Sequence, residues 1–204
     1  MRVNFKVLFL VFFLASYTLF AKVTLPLVFM DNMVLQQKSK VNFWGKANPG
    51  EEITVAVSWT NKKYSTTTSL SGDWKLLINT NEGGFQRQTV LVSGSNNSIF
   101  LKNVLIGEVW FSSGQSNMEW TMRRVTNAKK ELIEANYPNI RLFNVTKKIA
   151  NTSQHDVPQK SKWQQCDSLS VKEFSAISYY FSRELHQKLN IPVGIITANW
   201  GGTG

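Results

Sequence analysis

Cysteine is almost absent from this sequence: Cys166 is the single one among 204 residues, so no disulfide can form within the chain. A small exported domain held together by disulfide bridges is therefore excluded. The stretch Trp163-Gln164-Gln165-Cys166-Asp167 contains no base that would activate a thiol. We therefore expect a half-buried structural cysteine and no thiol nucleophile.

Histidine is also scarce, because only His155 and His186 are present. His155 lies in a polar, irregular stretch. His186 lies near the C-terminal end of an amphipathic segment, where a solvated or capping histidine is typical. No spacing of His, Cys, Asp and Glu resembles a metal site. The sequence therefore predicts no bound metal and offers no evident catalytic base.

Acidic residues are outnumbered, with 13 Asp and Glu against 23 Lys and Arg, and the formal net charge is +10. A surplus of this size is typical of proteins that bind nucleic acid or anionic surfaces. The lysines, however, are scattered in pairs, and no sustained basic block or nucleic-acid motif is present. We interpret the charge as a solvated face and expect no nucleic-acid partner.

Long apolar runs are missing beyond residue 21. Before it, the run from Val7 to Leu14 follows the basic residues Arg2 and Lys6 and precedes a cleavage site after Ala21. These parts predict a secretory signal peptide over residues 1–21. A membrane anchor is the alternative, but the run is shorter than the ~20 residues that a span needs. Cleavage lowers the net charge from +10 to +8, and we expect a soluble mature protein, secreted or periplasmic, with no membrane contact.

Residues 22–103 have the pattern of an all-β domain. Short runs of β-branched and alternating residues are separated by turn signals such as Ala47-Asn48-Pro49-Gly50. Strands at this close, regular spacing predict a β-sandwich of the jelly-roll or immunoglobulin-like kind. We expect Trp44, Trp59 and Trp74 to anchor its core rather than to stack on sugars.

Residues 104–204 alternate between strand and helix patterns, which predicts a parallel α/β sheet. The strand Val104–Ser112 has the apolar content of a strand buried on both faces. Further strands are predicted at Ile140–Val145 and Val193–Thr197, and residues 146–170 read as an irregular connection. The segment Met118–Ala135 permits a helix, and Phe174–Leu189 predicts the best helix, with Phe174, Ile177, Tyr180, Phe181, Leu185 and Leu189 on its apolar face.

Three parallel strands leave an unpaired sheet edge and an uncovered face, which is a poor stopping point for a stable domain. The sequence stops directly after the last predicted strand, at Asn199-Trp200-Gly201-Gly202-Thr203-Gly204. We therefore expect residues 104–204 to be an incomplete α/β three-layer domain, the N-terminal part of a longer protein.

The stretch Gly107–Trp120 carries the clearest chemical signal. Its apolar strand breaks at Gly114 and leads to Ser116 at the start of a segment that can be helical. A serine at a strand-to-helix turn is where many hydrolases place a nucleophile, because the turn exposes Oγ and the helix start offers N–H groups to an oxyanion. The alternative is a serine that caps the helix.

The glycines Gly201 and Gly202 follow the last predicted strand. Because parallel strands end at one edge of a sheet, this junction and the Ser116 junction can meet there, where open α/β folds bind ligands. A glycine pair lets the backbone approach a ligand closely and direct an N–H towards it. The alternative is a glycine turn that binds nothing.

These motifs resemble those of the sialate O-acetylesterases, members of the SGNH hydrolase superfamily. Gly107-Glu-Val-Trp-Phe-Ser-Ser-Gly-Gln-Ser-Asn-Met-Glu-Trp120 is similar to the family's nucleophile block. The resemblance continues, in order, over most of the chain: Pro26–Gln37 is similar to the entry into the family's β-sandwich, Phe174–Leu185 to its next helix, Ile191–Ile196 to its next strand, and Trp200-Gly-Gly-Thr203 to its glycine block.

The resemblance implies roles for individual residues. Ser116 would be the nucleophile, with its own backbone N–H as one oxyanion donor. Gly202 would supply a second donor, with Gly201 as the alternative, and Gln115 and Trp200 would lie beside the substrate. The family's oxyanion asparagine and base histidine belong to later Gly-x-Ser-Asn-like and Asp-x-x-His blocks, which this sequence does not contain; Asn117 is part of the first block and is not that asparagine.

By the same resemblance, the protein is an exported carbohydrate esterase of SGNH/flavodoxin-like fold that removes O-acetyl groups from sialic acid or related sugars. Ser116 takes the acetyl group from an O-acetylated sugar, and water then releases acetate, with no metal or organic cofactor. An acetyl-xylan esterase and a non-catalytic glycan-binding protein are the alternatives. Without the later blocks, the 204-residue chain is expected to be inactive, or nearly so, by itself.

Overall fold

The structure is a computed structural model that describes residues 22–202. The predicted signal peptide, residues 1–21, lies outside the described residues, as do Thr203 and Gly204 of the glycine block. No helix between residues 22 and 202 has the length and apolar character to cross a membrane.

The described residues form strands β1 to β10 and helices α1 to α4. The strands are β1 Val34–Gln36, β2 Lys40–Lys46, β3 Glu52–Val57, β4 Lys63–Thr67, β5 Asp73–Asn79, β6 Gly84–Ser93, β7 Ser98–Gly114, β8 Tyr137–Asn144, β9 Trp163–Cys166 and β10 Val193–Asn199. The helices are α1 Ser116–Glu119, α2 Ala128–Glu134, α3 Ser168–Lys172 and α4 Ala176–Leu189, with a 3₁₀ turn at Met122–Arg124.

The strands form a mixed eight-stranded sheet and a two-stranded ribbon. The order in the large sheet is β4-β3-β6-β7-β10-β8-β9, with β1 beside β7, and the ribbon pairs β2 with β5. Strands β7, β10 and β8 are parallel, as predicted for this half of the chain. Strand β9 is antiparallel to β8, so the sheet is mixed rather than purely parallel.

The ribbon packs its apolar face on the antiparallel half of the large sheet. Phe43 and Ile78 of the ribbon share one buried cluster with Ile53 of β3 and Val90 of β6. Alternation along the ribbon produces this face, because every second side chain of a strand points the same way. One core therefore joins most of residues 22–103.

The three tryptophans of this half differ in burial. Trp74 is buried as predicted, and Trp59 is partly buried against the same core. The prediction is wrong for Trp44, whose side chain is 41% exposed. It follows the fully buried Phe43, and side chains alternate along β2. Its ring meets Phe29 edge-on at 4.5 Å, and Phe29 also contacts Phe43 at 4.1 Å.

Strand β7 is the longest element, and it continues through the predicted boundary between residues 103 and 104. Its first part pairs with β6 and its last part, from Glu108 to Gly114, pairs with β10. On the other side, β1 pairs only with Leu105–Gly107, and no further described strand lies there. The end of β7 is therefore a sheet edge. Trp110 is 43% and Phe111 67% exposed, so the prediction of a strand buried on both faces is wrong for this part.

The segment Met118–Ala135 is not one helix, although its sequence permits one. It holds α1, the 3₁₀ turn and α2. The break comes from a tertiary contact: Thr121 forms a β-bridge with Ser175, with the Met122 N–H donating to the Phe174 carbonyl at 3.0 Å. A bridge to a distant segment needs extended backbone, which a helix cannot provide.

Residues 146–170, predicted to be irregular, contain two elements. Strand β9 adds an edge to β8, and α3 begins at Asp167. The Asp167 side chain accepts from the backbone N–H groups of Leu169 and Ser170, while the Ser170 hydroxyl bonds back to Asp167. This capping box is readable in the sequence as a polar residue followed three positions later by another.

Helix α4 lies where it was predicted but presents a different face to the sheet. Tyr179 and Ser182 are fully buried, whereas Ile177 and Phe181 are partly exposed. The Ser178 hydroxyl lies 2.6 Å from that of Ser112 on β7. The small serines bring the helix close to the sheet. The predicted apolar face is wrong for Ile177, Phe181 and Leu189, which are all exposed.

Arg141 of β8 is fully buried and connects the two halves of the chain. Its Nη1 donates to Asn32 Oδ1 at 3.0 Å and its Nη2 to Asn103 Oδ1 at 3.2 Å. Burial, together with nearby Arg87, lowers the pKa of the Arg141 guanidinium to about 10. It remains charged at neutral pH, and the two amide oxygens and the Asn32 carbonyl accept from it, while its Nε has no partner among the described residues.

We predict that Arg141→Ala lowers the free energy of unfolding by about 2–4 kcal/mol, because it opens a cavity at a fully buried side chain and takes one donor from each of the partly buried amide oxygens of Asn32 and Asn103. Arg141→Met is expected to cost less, since it keeps the volume and removes the buried charge. Urea unfolding measures both. Lys130→Ala, on the exposed face of α2, is the control, and a loss for Arg141→Ala no larger than that of the control would contradict the prediction.

Candidate active site

The two predicted junctions meet at the carboxyl edge of the sheet. Parallel pairing of β7 with β10 places Gly114 opposite Asn199. The Trp200 N–H then donates to the Gly114 carbonyl at 3.0 Å, so the two chains leave the sheet side by side. Ser116 and Gly201 each follow two residues beyond the paired ends.

Gly201 lies directly against the serine turn. A Cβ atom at Gly201 would lie 3.2 Å from Ser116 Cα and 2.6 Å from Glu119 Oε2. A side chain at this position would displace the end of the Glu119 side chain and crowd the Ser116 backbone, so glycine is the residue that fits this approach without a shift. The nucleophile block and the glycine block are thus in contact, as expected from their positions after two parallel strands.

Ser116 is exposed and is the first residue of α1. The helix cap is Gln115, and it makes no side-chain capping bond, so the alternative of Ser116 as an N-cap is wrong. Among residues 22–202, no hydrogen bond engages the Ser116 hydroxyl. The hydroxyl is therefore accessible to a substrate and to a base.

Ser116 opens onto a cleft of about 620 Å³ between α1 and the segment that follows β8. Charged side chains line it on both sides. Arg123 pairs with Glu173 at 3.0 Å, and the Arg124 guanidinium lies 5.7 Å from the centre of the Trp120 ring. The other lining residues are Ser116, Glu119, Thr121, Asn144, Val145, Thr146, Lys147, Ser175, Thr197 and Asn199.

Glu119 links the serine turn to the glycine turn. Its Oε2 accepts the Gly201 N–H at 2.5 Å, and its Oε1 forms an ion pair with Lys147. The hydrogen bond from Lys147, then that from the Gly201 backbone, holds the pKa of the Glu119 carboxyl below its ordinary value of 4.5. The group is therefore a carboxylate at neutral pH.

The two glycines of the pair are not equivalent. The Gly201 N–H is already bonded to Glu119, whereas Gly202 is exposed and has a φ of +80°. The left-handed φ favours glycine at this position. Gly202 is the better candidate of the two for a second oxyanion donor, and this role stays a prediction.

The predicted substrate residues lie on opposite sides of this junction. Gln115 caps α1 beside Ser116. Trp200 lines an adjacent cleft of about 300 Å³ with Val157 and Pro158, and the Lys147 ammonium lies 5.6 Å from its ring centre. Lys147 borders both clefts. Contact of Gln115 and Trp200 with a substrate remains a prediction.

Neither histidine lies in the cleft with Ser116. His186 Nδ1 lies 2.6 Å from the Ile191 carbonyl, which accepts from it. That contact precedes β10, at the end of the strand opposite Gly201. His155 borders a separate cleft with Trp44 and Asp73. Residues 22–202 also hold no cluster of three or more His, Cys, Asp or Glu side chains suited to a metal ion.

Glu119 and Lys147 are the site residues that the sequence did not single out. Glu119 was inside the quoted nucleophile block, and its position three residues after Ser116 was a usable signal, because residues i and i+3 share a helix face. Lys147 had no such signal. In the sequence, Lys147 and Lys148 are one of the scattered lysine pairs, and only the fold brings Lys147 to Glu119.

The fold resembles that of a carbohydrate esterase. A carbohydrate acetylesterase from Xanthomonas citri superposes with a TM-score of 0.83 at 28% identity, covering 89% of this chain and 41% of that one. No protein-family model matches the chain.

Sequence comparison gives the same class. The sialate O-acetylesterase of Mus musculus is 31% identical over 191 residues, which cover 86% of this chain and 35% of the mouse protein. The human enzyme of the same name is 30% identical over 190 residues, or 85% of this chain and 36% of that protein. The chain is therefore related to the sialate O-acetylesterases, and the resemblance of the motifs is confirmed. It spans about a third of the length of these relatives.

We predict that Gly201→Ala separates the two junctions, because its Cβ would clash with Glu119 Oε2 and crowd Ser116. The expected cost is about 1–3 kcal/mol of the free energy of unfolding. Gly84→Ala is the matched control, since nothing lies within 4 Å of a Cβ there. Equal thermal unfolding curves for the two variants would contradict the close contact.

The thiol is not part of the site. Cys166 is 1% exposed, more buried than predicted, and burial raises its pKa to about 12. We predict that a disulfide reagent such as Ellman's reagent leaves the folded protein unmodified at pH 8 and titrates one thiol after unfolding in urea. Rapid reaction of the folded protein would show that Cys166 is accessible.

Proposed function

We propose that this chain is part of an exported carbohydrate esterase that removes O-acetyl groups from sialic acid or related sugars. The observation that carries the proposal is the contact between Ser116 and Gly201 at the carboxyl edge of a parallel sheet, in a chain related to sialate O-acetylesterases. Export rests on the signal-like residues 1–21, and a secreted or periplasmic location follows from it.

The proposed fold is a jelly-roll-like β-sandwich over residues 22–103 followed by an SGNH-type three-layer domain over residues 104–204. The ribbon of β2 and β5, packed on β3 and β6, supports the sandwich. The parallel strands β7, β10 and β8 with α4 against them support the second domain. The likeness to the Xanthomonas citri acetylesterase extends over 89% of this chain, and so includes residues of both proposed domains.

In the proposed mechanism, Ser116 Oγ attacks the carbonyl carbon of the acetyl ester. The oxyanion that forms receives the backbone N–H of Ser116 and that of Gly202. The sugar oxygen leaves with a proton from the base and becomes a hydroxyl group. Water then attacks the acetyl-serine, and acetate departs. By the resemblance, the base histidine and an oxyanion asparagine belong to the later blocks.

The charges of the cleft support an acidic sugar over neutral xylan as substrate. Arg123, Arg124 and Lys147 face two carboxylates, Glu119 and Glu173, so the lining carries a net positive charge. Arg124 makes no ion pair in the described part of the chain. Its guanidinium is the group best suited to the carboxylate of a sialic acid.

Replacing the nucleophile tests the proposal. In the full-length protein that carries this sequence, Ser116→Ala is expected to lower acetate release from O-acetylated sialic acid at least 10³-fold, because no other group can form the acyl-enzyme. Ser113→Ala is the control and should keep most of the activity, because Ser113 lies on β7 before the turn and its hydroxyl donates to the Ala198 carbonyl. If Ser116→Ala releases acetate at the rate of the control, Ser116 is not the nucleophile.

A further inference from the structure

The Glu119 carboxylate joins three segments at the nucleophile. It belongs to α1, it accepts the N–H of Gly201 after β10, and it pairs with Lys147 after β8. These are the three segments that follow the parallel strands β7, β10 and β8. Glu119 therefore fixes the loops at the carboxyl edge of the sheet relative to each other.

The hydrogen bond from the Gly201 N–H to Glu119 orients the glycine turn. A peptide N–H that is bonded to a carboxylate cannot also donate to a substrate oxyanion. Because the bond is charge-assisted, it is stronger than one between neutral groups. It holds the Gly201 peptide plane in one orientation, and the following N–H, that of Gly202, is placed by the same turn.

A carboxylate near a developing oxyanion would oppose catalysis unless its charge is balanced. Lys147 provides that balance by its ion pair with Glu119. The Lys147 ammonium also lies over the Trp200 ring at 5.6 Å, so the pair is tied to the residue before the glycine block. The side chains of Glu119 and Lys147 are 37% and 41% exposed, so the pair contributes little to global stability.

We propose that Glu119 is a positioning residue for this reaction: paired with Lys147, it holds the Gly201 turn against Ser116 so that the Gly202 N–H faces the acyl oxygen of a bound ester. The inference rests on the proposed esterase function. It gives a role to a carboxylate that lies beside Ser116 without being one of the reacting groups, and it explains why the lysine after β8 borders the serine cleft.

The structural step is tested without an activity measurement, in the full-length protein that carries this sequence. Amide hydrogen exchange followed by ¹⁵N NMR should show the Gly201 N–H protected in the native chain. Protection should fall at least tenfold in Glu119→Ala and be largely kept in Glu119→Gln, whose amide oxygen still accepts. Glu134→Ala, which removes an exposed partner of Lys130 on α2, is the control and should change nothing at Gly201.

The chemical shift of the Gly201 amide should also report the charge of the Glu119 carboxyl. The pKa of this carboxyl is held below 4.5, so the charge-assisted contact is fully present above that pH and loses its charge assistance as pH falls through the lower value. The Gly201 amide shift should therefore titrate below pH 4.5 in the native chain and be flat in Glu119→Gln. A flat profile in both, or unchanged protection in Glu119→Ala, would overturn the proposed contact.

The catalytic step is tested in the full-length protein. Glu119→Ala should lower kcat about 10²-fold with little change in KM, since the binding cleft remains while an oxyanion donor loses its position. Glu119→Gln should restore kcat to within about tenfold of the native value. Thermal unfolding of all variants should match that of Glu134→Ala. If Glu119→Ala loses the protection of the Gly201 N–H but keeps the native kcat, the contact is structural only. That result would reject the positioning role.

Failure of the esterase proposal would look different. In that case Ser116→Ala would retain full turnover, or the full-length protein would release no acetate, whatever the result at Gly201. Loss of Gly201 protection in Glu119→Ala would then still show that Glu119 holds the glycine turn. The proposed positioning role would be rejected together with the esterase function on which it rests.

Discussion

The site depends on the parallel pairing of β7 with β10. Its register sets Gly114 opposite Asn199, and one further hydrogen bond, from the Trp200 N–H to the Gly114 carbonyl, carries the pairing past the end of the sheet. A slip of one residue would turn every side chain of β10 to the opposite face. Burial of Val193 and Ile195 therefore fixes the register and, through it, the distance between the serine and glycine turns.

The meeting of these two turns was predictable from the sequence, since parallel strands end at one edge whatever their order. The helix α4 and the strands β8 and β10 were predictable for a similar reason, because each carries its own local pattern of apolar residues. The capping box of α3 also has a local signal, at Asp167 and Ser170. This signal lies in a polar stretch whose overall pattern predicts an irregular connection.

What the sequence did not yield depends on contacts between distant residues. Trp110 and Phe111 look like core residues, but strand order places them at an edge. The helix after Ser116 is interrupted because Thr121 pairs with Ser175, fifty-four positions later in the chain. The pairing of Glu119 with Lys147 is of the same kind. Local sequence propensity does not predict these three features, because each depends on which strands become neighbours in the fold.

The open side of β7 has a consequence for the protein in solution. The Gln36 amide oxygen accepts the Val109 N–H at 2.8 Å and so substitutes for a neighbouring strand at one position only. Backbone groups at Phe111 and Ser113 point the same way by the alternation of the strand. Such an edge is a template for a second polypeptide, and apolar Phe111 beside it adds to the attraction. Repulsion between copies of the chain opposes this association, because each copy has a net charge of +10, or +8 after the predicted cleavage. Colloidal behaviour is thus governed by ionic strength, because dissolved salt weakens the repulsion and leaves the backbone edge untouched.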